Sequence, residues 1–154
     1  MSIRLSTAGV KLGYAVETTA GEKPTTGFKY ISELKEIPEI NPEPSLLETT
    51  TLDELEYRTY IPGLKDLGSA LGFLANFTQD FKDQWEEMVA SSETAKADGK
   101  ATWYVIVIPS ITEACYFQGE PTPLGVPGAT VDSVLETNAY ITPTSAPEWG
   151  ALPQ

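Results

Sequence analysis

The sequence predicts a mainly β protein: an antiparallel β-sandwich or barrel of about seven strands with one flanking amphipathic α-helix. Three observations predict it. Short runs rich in β-branched and aromatic residues recur along the chain, separated by Gly and Pro turn signals. Only one stretch, residues 80–96, combines helical periodicity with freedom from Pro and Gly. A parallel βαβ architecture needs a helix after most strands, and a single helix is too few. The 154 residues suit one domain without an internal linker or repeat. A chain of this size buries roughly 70% of the surface its unfolded form exposes, enough for a core without disulfides or metal.

In chain order, residues 1–9 read as a short polar arm. Leu12–Thr19 (LGYAVETT) reads as a first strand and Gly21-Glu22-Lys23-Pro24 as a turn. Phe28–Ile37 (FKYISELKEI) reads as a second strand, so the first two are expected to form a hairpin with a long polar tip. Pro38, Pro42 and Pro44 then lie within seven residues; they exclude helix and argue against a central strand. This predicts a long extended loop over about 38–54. Between Glu33 and Glu56 there are eight acids and one base, Lys35. A solvated loop is the plain account of that charge run.

Leu55–Ile61 (LEYRTYI) has strand composition, and Pro62-Gly63 is expected to end it as a turn. Ser69–Phe77 (SALGFLANF) reads as a further strand. In the predicted helix, Phe81, Trp85, Met88 and Val89 recur at the spacing of one helical face and are assigned to the core. Thr78 is the expected N-cap, Asp80 and Asp83 suit the positive end of the helix dipole, and Asp98-Gly99 is the stop signal. Ala101–Ile108 (ATWYVIVI) is continuously apolar, which predicts a strand buried on both faces. A shorter strand follows at Glu113–Gln118, then a Pro/Gly-rich loop over 120–128. Thr130–Thr142 reads as the last strand, with Leu135, Thr137, Ala139 and Ile141 on one face. Residues 143–154 read as a proline-punctuated tail carrying Trp149.

Composition narrows the chemistry. Histidine is absent, which removes the commonest general base and metal ligand together with Ser-His-Asp and Cys-His arrangements. The lone Cys115 allows no internal disulfide and, without His, no zinc site is expected. Adjacent acids at Asp53-Glu54-Glu56 and Glu86-Glu87 carry no flanking catalytic signature, and 22 acids make such neighbours commonplace. There is no P-loop and no EF-hand loop. These readings predict no catalytic residues, no cofactor and no metal. The net charge is −12 and no two of the ten Lys and Arg are adjacent, so a basic groove gripping nucleic acid is not expected. The start of the chain lacks the apolar core of a signal peptide, and no run is long enough to span a bilayer. A chain that stays in the cytoplasm, with no membrane partner, is the expectation.

Residues Glu48-Thr49-Thr50-Thr51-Leu52-Asp53 and Tyr60-Ile61-Pro62-Gly63-Leu64-Lys65-Asp66, preceded by Ile37-Pro38-Glu39-Ile40, carry a resemblance. This stretch of about thirty residues resembles the major tail tube protein family of tailed bacteriophages, whose fold is similar to that of the type VI secretion tube protein. Elsewhere the likeness is one of element order and length. The resemblance implies a subunit forming stacked hexameric rings: a hollow tail tube, assembled in the host bacterial cytoplasm, through which genomic DNA passes without specific binding. The implied partners are the chain itself, a tape-measure protein, and tail terminator and tip proteins. The loop over 38–54 is then expected to lie across a neighbouring subunit, with Pro42, Pro44, Leu46, Leu47, Leu52, Tyr60 and Leu64 in the ring and stacking interface. Glu33, Glu36 and Glu56 are the expected lumen-facing charges. Two other readings compete: a monomeric β-sandwich module binding carbohydrate or another surface ligand, and the tube of a phage-derived bacteriocin.

Overall fold

The structure is a computed structural model and describes residues 4–41, 43–66 and 70–154. Ten strands and one helix follow in order: β1 (Lys11–Val16), β2 (Lys29–Tyr30), β3 (Leu34–Glu36), β4 (Glu43–Glu48), β5 (Tyr60–Asp66), β6 (Leu71–Asn76), α1 (Gln79–Ala97), β7 (Thr102–Val107), β8 (Glu113–Pro121), β9 (Glu136–Pro143) and β10 (Glu148–Ala151). The principal sheet runs β2-β1-β7-β8-β9-β6-β3, a path of seven antiparallel strands, with β10 added on β8. β4 and β5 form a separate two-stranded ribbon. The architecture is therefore the expected one, a curled β-sheet with one helix.

The sheet curls because β8 serves two partners in succession. Its first half pairs with β7 and β10, and its second half pairs with β9. Gly119 stands where the strand passes from β7 to β9. A Cβ there would come within 2.9 Å of Ile141 Cγ2 and 3.0 Å of the Thr142 carbonyl, so this close crossing requires glycine. The two ends of the sheet, β2 and β3, are successive pieces of one segment. Ile31 N–H donates to Leu12 O (2.9 Å) and Asn76 N–H donates to Glu33 O (3.0 Å), bridging the ends. The expected single strand Phe28–Ile37 is thus two short ones. The break is at Glu33, whose φ of 68° is incompatible with a continuous strand. Its first piece pairs with β1 as the expected hairpin, and its second leaves to pair with β6.

The helix lies against β1, β7 and β8 and closes the core. Phe81, Trp85 and Met88 are fully buried among Leu12, Phe73, Tyr104, Phe117 and Ile141, and Val89 packs at the edge of the same cluster. The Trp85 indole N–H donates to Thr122 O (2.9 Å), which satisfies its one polar atom. At the N-terminus the Thr78 hydroxyl accepts from Phe81 N–H (3.1 Å). At the C-terminus Lys100 N–H reaches Ala95 O (2.8 Å) and Gly99 N–H reaches Lys96 O (3.1 Å), a Schellman closure with Gly99 at φ 75°. β7 is buried on both faces as its continuous apolar run predicts. Tyr104 and Ile106 enter the main core, while Trp103 and Val105 form a second cluster with Ala114, Tyr116 and Phe28.

Several boundaries differ from expectation, each because a pairing partner decides it. The 38–54 stretch is extended, but residues 43–48 within it form β4. The strand expected at Leu55–Ile61 begins only at Tyr60, and Pro62-Gly63 is not its terminating turn but lies inside β5. Both strands of an isolated ribbon are edges, where a proline displaces no ladder partner. The last strand begins at Glu136 rather than Thr130, and the tail contributes β10, held by pairing of Trp149 with Cys115.

Candidate functional site: an apolar arm

The threonine run 49–51 has a structural use. Thr49 N–H donates to Thr59 O (2.8 Å), Thr49 Oγ1 donates to Thr59 Oγ1 (3.0 Å), and Thr59 N–H donates to Thr50 Oγ1 (2.8 Å). These bonds extend the β4–β5 ribbon past its last strand residues into one arm. Opposed residues share a face: Leu47 with Ile61 on one side, Leu46 with Pro62 and Glu48 with Tyr60 on the other. Both faces are exposed. Leu46 is 64% exposed and Leu64 89%, and at the tip Leu52 and Leu55 are 102% and 92% exposed. So many uncovered apolar side chains on one projection form an exposed apolar patch rather than scattered surface residues.

The structure brings Pro44, Leu46, Leu47, Leu52, Tyr60 and Leu64 together on this arm, all exposed. Pro42 lies outside the described residues. Leu55, Tyr57 and Ile61, not foreseen, belong to the same surface. Their signal is that Leu and Tyr continue through 55–64 directly after the acidic, Pro-rich stretch 38–54. Of the three acids expected at a lumen, Glu36 ends β3 and Glu33 sits at the bend before it, accepting from Asn76 Nδ2 (3.4 Å). Glu56 is elsewhere, in the exposed loop between β4 and β5 rather than next to a strand of the sheet.

The acid neighbours make no converging pair. Asp53, Glu54 and Glu56 are exposed on the arm; Glu86 binds Lys82 (2.7 Å) and Glu87 binds Lys29 on the helix surface. Among the described residues no group of three or more His, Cys, Asp or Glu could hold a metal ion, and no helix is long and apolar enough to cross a membrane. Burial, reinforced by Glu148, pushes the Cys115 thiol up, the opposite of nucleophile activation. Glu17 is the one buried carboxylate among the described residues, 4% exposed. It accepts from Ala101 N–H (2.8 Å), Trp103 Nε1–H (3.0 Å) and Gly21 N–H (3.2 Å). Burial pushes its carboxyl up, but the three donors together hold it below the ordinary value. Glu17 is thus a structural staple between the end of β1 and the start of β7. A concavity of about 620 Å³ opens at the other end of the sheet, between residues 7–10 and 34–38, with Gly72 in its lining.

No protein-family description matches the sequence, and no curated protein matches it. By structure, the chain is similar to a chain in the six-fold symmetrised cryo-EM structure of the anti-feeding prophage baseplate. The TM-score is 0.67 at 10% identity, over 99% of this chain and 99% of that one. The likeness is one of fold.

Proposed function

We propose that this chain is a non-enzymatic structural subunit of a phage-type tail: the tube protein, whose copies form six-fold rings that stack into a hollow tube. The observation that carries the reading is the exposed apolar arm standing off a well-buried sheet-and-helix body. A body of this fold, end to end, occurs in a six-fold phage-like baseplate assembly. A head-to-tail contact made by such an arm closes into a ring when its rotation closes. The arm residues Pro44, Leu46, Leu47, Leu52, Tyr60 and Leu64 are the ring and stacking surface, to which the sequence adds Pro42. The net charge of −12 suits a bore for DNA, since an acidic wall repels phosphate where a basic one would grip it. Glu33 and Glu36 on the β3 side are the acids assigned to that wall, and Glu56, on the arm, joins them only in the assembly. Tape-measure, terminator and tip proteins are the partners of such a tube, and the virion tail is its place.

The experiment is negative-stain electron microscopy of the full chain, concentrated at moderate salt. Rings or hollow tubes are expected. A strict monomer at every concentration and salt overturns the reading and leaves the monomeric binding module to be screened against glycans. The second reading is the tube of a phage-derived bacteriocin, which carries no DNA. Nuclease-protected DNA in native particles separates the two.

A further inference from the structure

Among the described residues two buried side-chain oxygens have no hydrogen-bond partner, Thr102 Oγ1 and Tyr104 OH. They stand two residues apart on β7, so both lie on the face that packs against α1, where Tyr104 meets Phe81, Trp85 and Met88 in the core. Folded chains rarely leave a buried hydroxyl unpartnered, because its lost hydration is then uncompensated. Thr102, 3% exposed, forms part of the wall of a cleft of about 410 Å³. The cleft runs between the last turns of α1, the start of β7 and the crossing of β8 at Gly119. Ser92, also buried, lines it from the helix. A Cβ on Gly119, another wall residue, would stand 3.4 Å from Tyr104 Cε2, the ring carbon beside the one that bears the hydroxyl. Both residues with unpartnered oxygens therefore border this cleft.

The chemistry of the walls selects the occupant. Two lysines, Lys96 and Lys100, and two glutamates, Glu17 and Glu120, leave the lining neutral. Lys96 pairs with Glu120 (3.2 Å), and the Glu17 carboxylate is held by its three N–H donors. No net charge draws an ion. The buried end of the cleft is left with the hydroxyls of Thr102 and Ser92, each able both to donate and to accept. The neutral molecule that does the same in the smallest space is water, whose share of liquid volume is about 30 Å³. We propose that the buried end of this cleft is a site for an ordered water held by the Thr102 hydroxyl, with Ser92 as its anchor on the helix. Such a water ties the C-terminal half of α1 to the first residue of β7, and it does so whether or not the chain assembles.

One substitution tests it by its sign. Thr102→Val keeps the shape of the side chain and removes the hydroxyl. If that hydroxyl holds a water, a hydrogen bond is lost, and the melting temperature of the full chain is expected to fall by about 2–4 °C. If the hydroxyl is merely stranded, valine relieves it. A melting temperature equal to or above that of the parent would therefore overturn the site. A crystal structure of the parent chain tests it without any variant. A water within hydrogen-bond reach of Thr102 Oγ1 is expected there. A Thr102 hydroxyl bonded to a protein atom instead, or one with nothing beside it, overturns the proposal and leaves the tube reading intact.

Discussion

The β7 strand and the β4–β5 ribbon are both extended and both apolar, yet one is the most buried part of the molecule and the other among the most exposed. Thr102–Val107 has β1 on one side, β8 on the other, and packed side chains above and below. Among the described residues, Glu43–Glu48 and Tyr60–Asp66 pair only with each other. A ribbon of two strands is marginal in water by itself. It gains nothing from Leu46, Leu47, Ile61 and Leu64 while they face solvent. Apolar content therefore does not decide burial; the number of ladder and face neighbours does. Where the fold supplies no neighbours, a second molecule is the natural source.

Substitutions in the two regions should separate sharply. The largest loss is expected for Trp85→Ala, which empties the middle of the helix–sheet core and orphans the Thr122 carbonyl. About 3–5 kcal/mol of unfolding free energy should go, measurable by urea denaturation. A change under 1 kcal/mol would mean that the helix is not integral to the body. Next comes Glu17→Gln. The amide cannot accept from three donors at once, so a loss of about 1.5–3 kcal/mol is expected at neutral pH. Because the folded-state carboxyl lies below its unfolded value, its contribution is present above the ordinary glutamate pKa of about 4.3 and is lost as pH falls through that value and below. Thermal melts across that interval should fall less for Glu17→Gln than for the parent. The smallest effect is expected for Leu47→Ser with Ile61→Ser on the arm. The monomer should stay within about 0.5 kcal/mol of the parent, as for ordinary surface changes, while sedimentation shows assembly lost. A destabilised monomer would mean that the arm belongs to the body after all.

Much of the body was legible in the sequence. Helix α1 carries every local signal at once: the 81, 85, 88 stripe, the Thr78 cap and the Gly99 stop. The alternation through Thr137, Ala139 and Ile141 identified the buried face of β9, and the unbroken run in β7 identified burial on two faces. The misreadings share one cause. Pro62-Gly63 is ordinarily a turn signal, but in a ribbon with no outer neighbour it sits within a strand. Lys29–Glu36 is continuous in composition but divided at Glu33 between β1 and β6. Glu17 looked like any strand-end acid, because its three donors come from the far end of the helix connection and the turn beside it. For the arm, the resemblance to the tail tube family implied an inter-subunit loop over 38–54. The pairing that turns 43–66 into one projecting ribbon joins residues up to 23 apart and leaves no local trace.

What the sequence alone determined was therefore composition-level and periodic. It established a mainly β chain with one helix, the helix's buried face, a two-sided central strand, and a surplus of acid with no histidine. These follow from residue type and from repeats of 2 and 3.6, which act over a few neighbours. Tertiary structure alone decided where strands begin and end, which strand β8 abandons at Gly119, and what becomes of the apolar residues in the acidic middle. Those depend on partners distant in sequence, because a backbone hydrogen bond or a covered side chain requires a second segment that local pattern does not specify.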